Sequence, residues 1–391
     1  MRIAIDASPL LSTNPTGVGR VVREVLREIS RRAPRPDDPI EVFAVAPDHA
    51  PRVEFPADAK TKIQCVAIPT NGKNWRGNPA EKFVKENNID IFWSTVSAFP
   101  RSVDCSTIAT FHEAPWEVPG TRGDEGTGFN HRLWATLDAW FATRVVCPSQ
   151  SAADGFLASH LRKSFKSKVV VINWGVSEHF IPELPKGTTS LVDNYKYRTD
   201  YPFFLMVAAP RRIKNFELTI RALKVFRDRY KVDARLFIVG PNGTELMQAL
   251  GYADGLDLRQ YVSAFDYVPE LELAELYRRA RATLVFSRSE GFGFPVLESM
   301  ACGTPVLHSG RGALAETAGG AGLLVNIDDE EAIAAEMYRM HSDESARTDI
   351  INKGKAHAAK YKWSRTVDQL FTLFQELGGA VGAGAHGGHA H

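Results

Sequence analysis

Ser289-Glu290-Gly291-Phe292-Gly293-Phe294-Pro295-Val296-Leu297-Glu298-Ser299-Met300-Ala301-Cys302-Gly303-Thr304-Pro305-Val306 decides how the rest of the chain is read. Just before it, Ala282-Thr283-Leu284-Val285-Phe286 is an apolar run long enough for a buried strand and too short for a helix. Gly291 and Gly293 free the backbone from Cβ, Pro295 suits a first helical turn, and Gly303 suits the position just past a helix end. A second strand follows at Pro305-Val306-Leu307. Strand, glycine loop, helix start and strand form a place where free N–H groups and the helix dipole can hold a phosphate. Glu290 lies in the loop and Glu298 about one turn inside the helix, so a carboxylate stands on either side of that anion.

Nearby carboxylates oppose a bare phosphate, so the pair suits a ligand with hydroxyls on both sides of its phosphates, as in a nucleotide sugar. Read alone, the two residues also fit plainer roles, Glu298 as a favourable charge near a helix N-terminus and Glu290 as a solvated loop residue.

At 391 residues the chain is too long for one ordinary core and fits two domains. Apolar residues make up 44%, as in a globular protein, and 47 Lys plus Arg against 46 Asp plus Glu leave a charge of +1. That balance argues against nucleic acid held by bulk charge. Cys65, Cys105, Cys147 and Cys302 are scattered, without C-x-x-C spacing, and point to a reducing cytoplasm. Met1-Arg2-Ile3-Ala4-Ile5-Asp6 begins as a strand, without the charged leader and apolar core of a signal peptide. No apolar run approaches the ~20 residues that span a bilayer. The expectation is a cytoplasmic protein, peripheral to the inner membrane where it meets a membrane at all.

Ile3-Ala4-Ile5-Asp6 reads as the first strand, followed by a Gly17-Val18-Gly19 loop and a helix from Val21. A dinucleotide fingerprint would need a third glycine where Val22 stands. Further strands read at Glu41–Ala46, Ile63–Ile68, Ile89–Trp93, Ser106–Phe111, Arg144–Cys147 and Val169–Ile172, separated by helix-length segments, which implies a parallel α/β sheet. His112 and Glu113 stand just past one strand end, where such sheets line their ligand crevice. Ser149 and Ser151 are helix-cap candidates. After a stretch rich in Pro, Gly and Thr the pattern restarts at Pro202–Ala209, which ends in Pro210-Arg211-Arg212-Ile213-Lys214-Asn215 before a helix from Glu217. Cations at a strand end can neutralise a diphosphate. Leu236–Gly240 gives another strand and glycine turn, Tyr267-Val268-Pro269 opens a helix, Leu323–Val325 is a late strand, and Tyr361–Leu377 a last amphipathic helix.

The Glu290–Glu298 pair and the residues after it resemble the paired-glutamate signature of the retaining GT-B glycosyltransferases of group 1, also called family 4. The resemblance runs from Ile3 to Leu377. It implies an α/β chain in the GT-B fold, two Rossmann-like domains with parallel sheets facing across a cleft. The N-terminal, acceptor-side domain would take 1–182, with the closing helix 362–377 crossing back to it, and the donor domain 200–361. Residues 183–199 read as linker, and the Gly, Ala and His of 378–391 as a disordered tail or expression remnant.

The same resemblance implies the roles. Glu290 would contact the donor hexose and Glu298 the ribose. His112 matches the family histidine on the hexose, with Glu113 its neighbour. Lys214 and Arg212, or else Arg211, would hold the leaving diphosphate. Gly17 and Gly19 would approach the diphosphate and acceptor, and Gly240, Val268, Gly291, Phe292 and Gly293 would line the nucleotide crevice.

The implied activity is retaining transfer of a hexose from a nucleotide-diphosphate sugar to the hydroxyl of an oligosaccharide or lipid-linked acceptor. GDP-mannose and bacterial surface polysaccharide or lipopolysaccharide synthesis are the expected donor and setting. The sequence carries no Asp-x-Asp motif, so neither a metal nor a cofactor is expected. A sugar-nucleotide epimerase or hydrolase of similar fold, and a non-catalytic nucleotide-sugar-binding subunit, are the alternatives.

Overall fold

The computed structural model describes residues 1–12, 17–33, 39–70, 74–96, 100–113, 128–159, 161–184, 192, 197, 199–208, 212–240 and 243–384. They divide into two units, one from residues 1–113, 126–175 and 362 onward, the other from 176–361. Residues 176–182, which the sequence predicts to close the N-terminal domain, thus belong to the second. Most of the predicted linker lies outside the described residues.

The first unit runs β1 (Arg2–Asp6), α1 (Gly17–Arg31), β2 (Glu41–Pro47), β3 (Ile63–Ile68), α2 (Asn78–Glu86), β4 (Ile91–Ser94), β5 (Ser106–Thr110), α3 (Gly128–Phe141), β6 (Arg144–Cys147), α4 (Gln150–Leu157) and β7 (Val169–Val171). The second runs β8 (Phe203–Val207), α5 (Phe216–Tyr230), β9 (Arg235–Val239), α6 (Gly243–Asp254), β10 (Val262–Phe265), α7 (Glu270–Arg279), β11 (Thr283–Val285) and α8 (Phe294–Ala301). It continues through β12 (Val306–His308), α9 (Leu314–Ala318), β13 (Leu323–Leu324), α10 (Glu330–Ser342) and α11 (Glu344–Ala358). Helix α12 (Trp363–Gly384) returns to the first unit.

Among the described residues every strand pairing is parallel. The first sheet is ordered β3-β2-β1-β4-β5-β6-β7, the second β10-β9-β8-β11-β12-β13. In each, the chain moves outward from its first strand and then returns to that strand's other side. The reversals lie between β1 and β4 and between β8 and β11, where α/β sheets open a crevice at the strands' C-terminal ends.

Both faces of these strands are covered, which is why they read as unbroken apolar runs. Phe204, Leu236, Ile238 and Leu284 pack with Phe226 of α5 and Met337 of α10. Phe203, Leu205 and Phe237, on the opposite face by the two-residue period of a strand, pack with Leu276 and Tyr277 of α7.

Three local features differ from or refine the sequence reading. Gly17 and Gly19 form no loop; they are the first turn of α1, Gly17 exposed and Gly19 buried. Ser149 caps α4, its Oγ accepting from Ala152 N at 3.0 Å. Helix α12 runs past Gly378 to Gly384, since extending a formed helix costs far less than starting one; residues 385–391 lie outside the described residues.

The turn Asn173-Trp174-Gly175 docks on the start of α12. Trp174 stacks on Trp363 at 6.4 Å, and Thr366 Oγ1 donates to the Asn173 carbonyl at 2.7 Å. A Cβ on Gly175 would lie 2.4 Å from the Trp363 backbone nitrogen, so only glycine fits. One residue on, Val176 N donates to Tyr361 O at 3.0 Å.

Candidate functional site

At the reversal of the second sheet, the turn after β8 is tied to the loop after β11 by two hydrogen bonds. Asn215 takes a left-handed conformation (φ 58°) and donates from Nδ2 to Phe286 O at 3.2 Å, while Arg288 N donates to Ile213 O at 2.8 Å. Lys214 is thereby held beside Glu290. Its Nζ donates to Glu290 Oε1 at 2.9 Å, and Ser287 Oγ donates to the same oxygen at 2.7 Å.

The two side chains are 19% and 13% exposed, so the pair is only partly desolvated and contributes little net stability. Its importance is positional. The Glu290 backbone is fixed by Ala313 N, which donates to its carbonyl at 2.9 Å. Gly312 (φ 59°) passes so close that a Cβ there would lie 2.6 Å from the Glu290 backbone.

Gly293 precedes α8 in a left-handed conformation (φ 93°) that glycine adopts without cost, and Pro295 lies in the first turn. Thr317 Oγ1 donates to the Phe292 carbonyl and closes the loop from behind. Glu298, 2% exposed, faces inward, with Oε2 accepting from the Tyr277 hydroxyl at 2.9 Å. Two carboxylates therefore bracket the helix start, one solvent-accessible and cation-paired, the other buried and held by a phenol.

In the first unit, His112 stands two residues past β5, part-buried, its Nε2 2.8 Å from the Thr95 carbonyl. Burial pushes its pKa below the ordinary 6.5, and the hydrogen bond to Thr95 partly offsets this. The ring is neutral near pH 7. Thr95 Oγ1 donates to the Asp6 carbonyl at 2.8 Å, and the buried Asp6 carboxylate accepts from Arg76 Nη2 at 2.8 Å and Nε at 3.0 Å.

The structure thus brings Lys214, Glu290, Gly291, Gly293 and Glu298 into one local constellation. Arg212 opens the same turn with an exposed side chain; Arg211 lies outside the described residues. Gly240 follows β9 with φ 105°.

Val268 is 4% exposed and packs with Leu273 and Tyr277, and Phe292 is 5% exposed against Phe294 and Tyr361, so both side chains pack in the core and leave their backbone to face a ligand. Sequence reading missed Ser287, Gly312 and the Tyr277 hydroxyl. The spacing Ser287 to Glu290 and the Gly310-Arg311-Gly312 pair after β12 were the available signals. Among the described residues no group of three or more His, Cys, Asp or Glu is gathered as for a metal, and no helix is long and apolar enough to cross a membrane.

Residues 190–357 match the family described as glycosyl transferases group 1. O-antigen chain mannosyltransferase B of Escherichia coli is 28% identical over 216 residues, 54% of this chain and 55% of that protein. D-inositol 3-phosphate glycosyltransferase of Nocardiopsis dassonvillei is 33% identical over 188 residues, 44% of this chain and 42% of that protein. The chain spans about half the length of the curated relatives it matches.

Solved structures resemble it over nearly its whole length. Sucrose-phosphate synthase from Thermosynechococcus elongatus has a TM-score of 0.75 at 17% identity, covering 97% of this chain and 100% of that one. HepE from Anabaena, in complex with UDP and glucose, has a TM-score of 0.69 at 16% identity, covering 96% and 99%. Residues 190–357 thus match the group 1 glycosyl transferase family, within a chain of two parallel-sheet Rossmann-like domains that has the fold of the GT-B glycosyltransferases.

Proposed function

We propose that this chain is a retaining hexosyltransferase that moves a hexose from a nucleotide-diphosphate sugar to an acceptor hydroxyl without a metal. The observation that carries the reading is the Lys214–Glu290 pair at the sheet reversal, with Glu298 buried one turn along α8. Lys214, with Arg212 beside it, takes up the negative charge that grows on the diphosphate as the glycosidic C–O bond breaks, and the N–H groups of Gly291 to Gly293 add to it. Glu290 holds the hexose, Glu298 the ribose and His112 a hexose hydroxyl. Gly17, Gly19 and Gly240 leave backbone within reach of the ligand.

Mannose from GDP-mannose is the first donor to try, on the strength of the mannosyltransferase relative. The acceptor class is an oligosaccharide or lipid-linked saccharide of a bacterial surface polymer. Peripheral association with a membrane surface has support in α3, where Leu133, Trp140 and Phe141 are exposed.

A panel of nucleotide sugars screened by thermal shift identifies the donor. With that donor and saccharide acceptors, nucleoside diphosphate should be released in proportion to acceptor and equally well after EDTA. Isomerised nucleotide sugar without acceptor would identify an epimerase, and turnover lost to EDTA and restored by Mg²⁺ would overturn the metal-free reading.

A further inference from the structure

The hydrogen bonds around His112 fix more than its place. A carbonyl oxygen only accepts, so the 2.8 Å contact between His112 Nε2 and Thr95 O requires the proton on Nε2. In the neutral ring that leaves Nδ1 as an acceptor. A hydroxyl donor fits such an atom, whereas a carbonyl or carboxylate does not.

Thr95 is itself held. It is 1% exposed, it directly follows β4, and its Oγ1 donates to the Asp6 carbonyl at the end of β1. Asp6 is anchored in turn, its Oδ2 on the Arg76 guanidinium and its Oδ1 accepting from Ser8 N at 2.9 Å. The ends of β1, β4 and β5 are thus joined in one chain of hydrogen bonds that starts on the buried Asp6 carboxylate and ends on the imidazole. All of it lies at the reversal point of the seven-stranded sheet.

We propose that Thr95 is a positioning residue, anchored through Asp6 and Arg76, which holds His112 in the Nε2–H tautomer so that Nδ1 accepts a sugar hydroxyl. This rests on the reading of His112 as a hexose contact, but the tautomer can be measured without turnover. Threonine serves here because its hydroxyl ties the peptide whose carbonyl the ring uses. Valine keeps the shape and loses the tie; serine keeps the tie.

The test is a long-range ¹H–¹⁵N correlation spectrum of the full chain labelled in histidine, with the His112 signals assigned by their loss in His112→Gln. Wild type and Thr95→Ser are expected in the Nε2–H form near neutral pH. Thr95→Val is expected to show a mixture of tautomers, with kcat about tenfold lower, the equivalent of one hydrogen bond, and the KM for donor little changed. Thr95→Ser should recover kcat.

An Nδ1–H ring in the wild type would overturn the proposal whatever the variants do. So would a Thr95→Val protein that melts like wild type and keeps the wild-type tautomer. If the tautomers behave as expected but His112→Gln turns over normally, the positioning stands and the hexose contact falls.

Discussion

After β1 the carboxylate of Asp6 is sealed from solvent and clamped by Arg76, and the group left to act nearby is a neutral histidine. After β8 and β11, by contrast, the charged pair Lys214–Glu290 remains accessible and Ser287 supports it from one side. The two sheets reverse at equivalent places in equivalent strand orders. What differs is where charge is left. A sealed carboxylate can only hold geometry, whereas an accessible one can exchange its internal partner for a ligand hydroxyl. One strand order therefore supports either a hydrogen-bonding end or an ionic end, depending on which side chains the loop ends bury.

The contrast breaks if charge removal acts alike in both places. Glu290→Gln is expected to lower transfer roughly a thousandfold, and Lys214→Ala roughly a hundred- to a thousandfold, both in kcat rather than KM and with melting temperature near wild type. Arg212→Ala, at an exposed side chain, should cost less, because water screens it. Steady-state kinetics on the three variants decide this; Arg212 proving the most sensitive would move the ionic centre to the outer edge of the turn.

In the first unit the effect should be on stability instead. Asp6→Ala leaves the Arg76 guanidinium, 21% exposed, without its carboxylate, and about 3 kcal/mol of unfolding free energy should be lost in urea titration. Unchanged stability would mean that the pair is not what holds the strand ends.

Sealing also has a pH signature. Burial at the end of β12 pushes His308 down to about 4. The unfolded chain, with its ordinary value near 6.5, binds this proton more readily. The stability gained by keeping the ring neutral is therefore complete above pH 6.5 and is lost progressively as pH falls towards 4. The amount is on the order of 3 kcal/mol. Denaturant titrations across that window, compared with His308→Gln, should show a shallower slope in the variant, the remainder belonging to groups such as His112 and His341.

The smallest effect concerns Glu298. Tyr277→Phe removes a donor from a buried carboxylate, for about 1–3 kcal/mol of stability and a weaker affinity for nucleoside diphosphate by calorimetry. An unaltered affinity would detach Glu298 from the nucleotide.

The parts of this arrangement that are local in the chain were legible in the sequence. The apolar runs of β8, β9 and β11 and the Gly-x-Gly-x-Pro entry to α8 each sit within a few residues, and the parallel pairing follows from helix-length separations between strands. The match of Lys214 to Glu290 depended on family resemblance, since nothing in either segment alone says that they meet. Gly312 was invisible because its requirement comes from a backbone distant in sequence. The inward turn of Val268 and Phe292 was hidden for a related reason: adjacency along the chain to a crevice does not tell which way a side chain turns, and burial of apolar area decides that. Gly17 and Gly19 read as a loop because glycine weakens helices, yet α1 buries Val21, Val22, Val25 and Leu26, and that burial outweighs two glycines at its start.

The bond between Val176 and Tyr361 closes one uninterrupted run of chain, residues 176–361, at its two ends. Everything after Tyr361 belongs to the unit that began the chain. There Arg32 Nη1 donates to Asp368 Oδ1 at 2.7 Å and Trp93 meets Phe374 at 6.3 Å. A ribosome therefore delivers 176–361 whole before it delivers α12. The unit started first is finished last, and until α12 arrives Trp93 and α1 wait without their cover.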